Sequence, residues 1–276
     1  MKINKLLASL LVASGPAFAN LRGPIEFFQP PSSALYKPQS DLTVLKESLF
    51  FLCSQNECEV SAVYEIAEKT AKELTLEFIL PTNEQISVHV GAAPVAVQTV
   101  PSQPVDIREK DVLPGRFRDK ILYRASFKAA VHAGVNKINV TYQQPLSAEE
   151  RDYGYFKDGR FVNYFQYELW PLKDWLLAAP FQIDLTVKMK REKPNWWKRF
   201  FGKVRSLKCH AVILEECHFD DGQFQGTVLC QVNSYFRDKP RQQGDYLVFS
   251  TRWGRDFPER LICEMGDKDL LRDGAK

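Results

Sequence analysis

Apolar and polar residues alternate with a period of two along most of this chain, the pattern of strands with one buried face. The cleanest case runs from Phe181 to Met189, where Phe181, Ile183, Leu185, Val187 and Met189 face one way and Gln182, Asp184, Thr186 and Lys188 the other. Leu74, Leu76, Phe78 and Leu80 repeat it up to Pro81, and Ile86, Val88 and Val90 repeat it up to Gly91. Short strands are also expected over 95–100, 121–127, 137–142, 160–169, 207–214, 225–235 and 245–253, separated by Pro and Gly turn signals. SLFFL and VSAVYEI flank Ser54-Gln55-Asn56-Glu57 and read as a hairpin. Before position 143 only Ile66 to Glu73 offers helical character, and a loop fits those eight residues equally well.

This spacing predicts an all-β protein of two antiparallel sandwich-like halves. The expected division is a leader over 1–19, an extended Pro/Ser-rich lead-in over 20–40 and an N-terminal sandwich over 41–145. A polar linker over 146–160, a C-terminal β domain over 161–263 and a charged tail over 264–276 complete it. Ser147-x-x-Glu150 has the form of a capping box and could open a helical turn inside the linker. Pro171 must turn the chain after the strand that precedes it, because it cannot continue a ladder. The tail is expected to fray after Cys263.

Val60-x-x-Val63-Tyr64, Leu74-x-Leu76-x-Phe78-x-Leu80-Pro81 and Val88-x-Val90-Gly91 resemble the first sandwich of exported bacterial domains of unknown function, and the related sandwich of the vault and inter-alpha-trypsin type. Tyr167-x-Leu169-x-Pro171-x-x-x-Trp175 and Phe181-x-Ile183-x-Leu185 are similar to the second half of those exported domains. The resemblance implies an all-β fold and no established activity. The six cysteines and the basic aromatic segment described below are not part of it.

The first nineteen residues have the form of a signal peptide: Lys2 and Lys5, an apolar run from Leu6 to Val12, and Ala17-Phe18-Ala19 before Asn20. No later stretch is long and apolar enough for a membrane-spanning helix. The expected address is therefore periplasmic or extracellular, in a bacterium. Six cysteines, Cys53, Cys58, Cys209, Cys217, Cys230 and Cys263, follow the leader, and an even number in an exported chain reads as disulfides. Cys53 and Cys58 stand opposite each other where the hairpin strands meet its turn, so they are expected to pair. For the other four, Cys209 to Cys217 is disfavoured, since eight residues of extended strand separate them by roughly 26 Å; Cys263 can join either.

Charge changes the picture at one place. The whole chain is formally +3. Lys188, Lys190, Arg191, Lys193, Lys198, Arg199, Lys203 and Arg205 stand against Glu192 alone, a net +7 between positions 188 and 205. The remainder is acidic, which argues against general nucleic-acid binding. Within this window Trp196, Trp197, Phe200 and Phe201 would form one face of a helix, with Lys198, Arg199 and Lys203 off it. Trp196 to Phe201, Lys203 and Arg205 are thus the candidate binding residues, for an anionic lipid, lipopolysaccharide or glycan surface, or for a protein partner. The competing reading has the aromatics cap an open end of the sandwich, with the cations solvated.

Catalysis has weaker support. Glu149, Glu150, Asp152 and Asp158 lie among aromatic residues and form the alternative, a carbohydrate-active site. A third reading is a structural module of a surface or secretion assembly, built on exposed sheet edges. Cys209-His210 and Cys217-His218 have zinc-compatible identities but poor spacing, so neither a metal nor a cofactor is expected. His89 and His132 are isolated, and Asn139-Val140-Thr141 matches a glycosylation acceptor whose use is not expected in a bacterium.

Overall fold

The computed structural model describes residues 20–22, 25–28, 35–38, 42–80, 86–102, 122–151, 160–191, 204–220, 225–236 and 239–271. For residues 20–38, 79, 102, 122, 150, 170, 174, 214–220, 225–231, 233 and 235 within that set, only the backbone is described. The strands in chain order begin β1 (Asn20–Arg22), β2 (Ile25–Phe28), β3 (Leu35–Pro38), β4 (Thr43–Cys53), β5 (Glu57–Glu68) and β6 (Lys72–Leu80). They continue β7 (Ser87–Val90), β8 (Ala93–Val95), β9 (Val97–Ser102), β10 (Leu122–Val131), β11 (Gly134–Pro145), β12 (Ser147–Glu150) and β13 (Phe161–Glu168). After a 3-10 turn at Trp170–Asp174 come β14 (Leu176–Lys190), β15 (Arg205–Asp220), β16 (Gln225–Tyr235), β17 (Arg241–Gln243), β18 (Tyr246–Trp253) and β19 (Arg260–Asp267). The protein is all-β.

An eight-stranded sheet in the order β17-β18-β14-β4-β5-β11-β7-β8 forms the long layer. Its inward residues are Leu49 and Phe51 on β4, Val60, Ala62 and Tyr64 on β5, Ile138, Val140 and Tyr142 on β11, and, as the alternation singled out, Phe181 to Met189 at odd positions on β14. Two shorter sheets pack on this one face. The four-stranded sheet β1-β6-β10-β9 meets it through Phe78, 5.6 Å from Tyr142 between ring centroids. The five-stranded sheet β12-β13-β19-β15-β16 meets it through Phe165, stacked on Phe51 at 4.6 Å, and Tyr167, edge-on to Phe51 at 5.5 Å. Aromatic pairs of this geometry contribute about 0.5–1.5 kcal/mol beyond their burial.

The eight-stranded sheet draws β4, β5, β7, β8 and β11 from before the expected linker and β14, β17 and β18 from after it. The join is β4 with β14, the single parallel pairing among the described residues, where the other ladders are antiparallel. Within 146–160, Ser147–Glu150 is not a helical turn but β12, paired with β13. The stretch 66–73 likewise holds no helix: β5 runs to Glu68 and β6 starts at Lys72. Ile66 is wholly buried and continues the strand alternation of β5, so tertiary burial overrides the helical composition. The expected fraying after Cys263 is also corrected. β19 lies between β13 and β15, Glu264 and Met265 are buried, and Leu270 and Leu271 cover Val162. A short charged sequence hides that role because its apolar residues are few and its carboxylates are paired.

Candidate functional site

The hairpin β4–β5 is pinned at its end. Cys53 faces Cys58 across the ladder with 4.0 Å between Cα atoms, and the two form a disulfide. The turn between them is held from within: the Ser54 amide donates to the Glu57 carbonyl at 2.8 Å, and the Asn56 amide to Ser54 Oγ at 3.3 Å. It is also held from outside, by the Leu146 amide on the Asn56 carbonyl (2.7 Å) and by Asn163 Nδ2 on the Gln55 carbonyl (2.5 Å). A cavity of about 260 Å³ opens beside this turn, lined among others by Ser54, Glu57, Glu59, Gln143, Lys190 and Tyr246. Lys190 is the last residue of β14, and the amide of the next residue, Arg191, donates to the Asp245 carbonyl at 2.8 Å. The basic segment therefore leaves the eight-stranded sheet from the wall of this cavity. It enters the five-stranded sheet at Val204, whose carbonyl accepts from the Lys268 amide at 3.0 Å, and at Arg205, which opens β15 opposite Asp267.

Trp196, Trp197, Lys198, Arg199, Phe200, Phe201 and Lys203 lie outside the described residues; of the candidate binding set only Arg205 is described. Of the four candidate carboxylates, Asp152, Asp158 and the Glu150 side chain lie outside them as well. Glu149 Oε2 is taken by Arg151, at 3.1 Å from Nε and 2.8 Å from a terminal nitrogen. Cys209 is bonded to Cys263, directly opposite on β19, which removes its sulfur from any zinc set. The side chains of Cys217 and Cys230 are not described; their backbones face Val228 and Glu215. Two disulfides belong to a chain that matures outside the reducing cytoplasm. Among the described residues no helix is long and apolar enough to cross a membrane.

One polar cluster went unnoticed in the sequence. β4 carries an irregularity between Val44 and Lys46, so the inward positions switch from even to odd numbers. That parity change turns Glu47 into the core, where it is fully buried opposite Tyr64 of β5. Tyr167, from the five-stranded sheet, donates its hydroxyl to Glu47 Oε1 at 3.3 Å and lies 3.3 Å from the Tyr64 hydroxyl. Glu47 Oε2 has no hydrogen-bond partner among the described residues. Burial pushes the Glu47 carboxyl up to about 7, against the lowering pull of the Tyr64 and Tyr167 hydroxyls. Burial likewise holds the Tyr142 and Tyr167 hydroxyls protonated. A Glu in a strand otherwise buried at alternate positions was the available signal, but without the bulge the even-numbered alternation of Leu42 and Val44 places Lys46 inward and residue 47 outward. Glu47, Tyr64 and Tyr167 are fully buried, so the cluster is a hydrogen-bonded joint between two layers.

No protein-family model and no curated protein matches the chain. Among solved structures, it is similar to a provisionally designated nutrient binding protein of Legionella pneumophila, at 10% identity and a TM-score of 0.43, over 91% of this chain and 73% of that one. It is also similar to yeast LTA4 hydrolase in complex with bestatin, at 11% identity and a TM-score of 0.40, over 86% of this chain and 31% of the hydrolase. Legionella pneumophila aminopeptidase A, in complex with aspartic acid, shares 12% identity at a TM-score of 0.33, over 89% of this chain and 23% of the peptidase. The chain thus spans less than a third of either enzyme.

Proposed function

We propose that this chain is a non-catalytic binding protein of the bacterial envelope, periplasmic or extracellular, that engages an anionic surface through residues 194–205. The observation that carries this reading is the net +7 segment, with Trp196, Trp197, Phe200 and Phe201 interleaved, on a chain that is acidic elsewhere. Cations near an anionic leaflet contribute about 1 kcal/mol each, and aromatic rings favour the headgroup level. The anchorage supports the reading: Arg191 and Val204 are each held by a backbone hydrogen bond at the margins of the segment, so the attachment points are fixed. Two disulfides suit an envelope address.

Co-sedimentation tests it, with anionic vesicles, lipopolysaccharide micelles and zwitterionic vesicles compared at low and high salt. The expected result is association with one anionic surface, weakened by salt, and at least tenfold weaker for the Trp196→Ala/Trp197→Ala double variant. Absence of salt-dependent association, or an unchanged double variant, would sink the proposal.

A further inference from the structure

Sheet edges invite pairing unless they are short, charged or interrupted by proline. Most edges here are blunted. β1 and β17 have three residues each and carry an arginine; β8 has three and contains Pro94. β9 contains Pro101, and β12 has four residues, two of them glutamates. β16 differs: it runs eleven residues, QGTVLCQVNSY, with no charge and no proline, and it is the terminal strand of its sheet among the described residues.

β16 also overhangs. β15 pairs with β19 only from Arg205 to Val212, but with β16 from His210 to Asp220. Among the described residues the hairpin is a two-stranded ribbon from Ile213 to Asp220, about 26 Å long at ~3.3 Å per residue. Two-stranded ribbons are marginal in water. The base of this one is rigid. The Cys209–Cys263 disulfide crosses β15 and β19 just before the overhang, and the Glu259 amide donates to the Val212 carbonyl at 3.0 Å. Phe236, directly after β16, packs on Phe249 at 5.0 Å and Trp253 at 5.8 Å.

We infer that the β15–β16 hairpin is a pairing arm whose β16 edge takes the β16 edge of a second copy of this chain, antiparallel, joining two five-stranded sheets into one of ten. The neutrality of β16 favours a second copy as occupant: in an antiparallel self-pair no register brings like charges opposite each other. Full overlap places Thr227 opposite Asn233 of the partner subunit, in a closed two-fold arrangement. The arm is independent of residues 194–205.

Sedimentation velocity on the purified, oxidised full chain tests it. Wild type is expected to show a concentration-dependent monomer–dimer equilibrium. Thr227→Lys/Asn233→Lys should weaken that dimer at least tenfold, because each lysine meets another across the new ladder. Thr227→Glu/Asn233→Glu should do the same, and mixing the two variants should restore a heterodimer, which a merely misfolded arm would not. Far-UV circular dichroism and peptide mapping of Cys209–Cys263 check that each variant is folded. A wild type that stays monomeric through the micromolar range, or a dimer unchanged in the lysine variant, overturns the inference.

Discussion

On one face of the five-stranded sheet, Tyr167 reaches across to Glu47 of the eight-stranded layer; on the other, Glu264 lies against Arg151. Both carboxylates are buried. Glu264 receives two hydrogen bonds from the Arg151 guanidinium, at 2.7 and 3.2 Å, and that same guanidinium also serves Glu149 and the Leu270 carbonyl. Burial works against the Arg151 charge, and Glu264 and Glu149 overcome it, so the guanidinium is held even more firmly protonated than usual. Arg260 and Glu168 pair on this face too. Glu47 instead meets tyrosine hydroxyls, which cannot neutralise a carboxylate, and it retains its proton up to about pH 7. The difference shows two solutions to one problem. A cation keeps a buried carboxylate charged, whereas phenols keep it comfortable mainly when it is neutral.

The sharpest way to break the comparison is Arg151→Met. It removes the guanidinium that makes two hydrogen bonds to buried Glu264, and stability is expected to fall by about 3–5 kcal/mol, read from the urea midpoint. The double variant Arg151→Met/Glu264→Leu should recover most of that loss; failure to recover would mean that the pair matters through packing instead of charge.

Glu47→Gln probes the other face and carries a pH signature. The folded carboxyl titrates at about 7 and the free one at 4.5. Between those values the folded state holds the extra proton, so stability is fully present below about 4.5 and declines as pH rises to about 7. The shift corresponds to a decline of about 3 kcal/mol. The glutamine variant should lack it, being close to wild type at pH 4.5 and more stable by about that amount at pH 8. Parallel pH profiles for the two proteins in urea would refute the assignment. The smallest expected effect is that of Tyr167→Phe. Removing the donor to Glu47 should cost about 1 kcal/mol and push the upper limit of the pH window above 7, because a hydroxyl that lowers the carboxyl pKa is gone.

Much of the fold was legible along the chain. Leu74 to Leu80 and Phe181 to Met189 are buried at the alternating positions expected of them. The Cys53–Cys58 bridge followed from a four-residue turn between two β-rich runs. Less of the candidate site was legible. The wall of the cavity brings Ser54 and Glu57 together with Lys190 and Tyr246, from strands far apart in sequence. Nor did Cys209 announce Cys263 as its partner, since that pairing depends on β15 and β19 lying side by side.

Local sequence by itself determined that this protein is built of strands, which face of the most cleanly alternating ones is buried, where a hairpin could be stapled, and that its positive charge is concentrated between positions 188 and 205. Those properties follow from side-chain period, turn chemistry and charge, which act over a few residues. The tertiary structure decided the rest: the parallel join of β4 to β14, the central place of β19, the inward turn of Glu47 at a bulge and the overhang of β15 and β16. Each depends on which distant strands pair and in what register, and a period of two is the same for every strand that carries it.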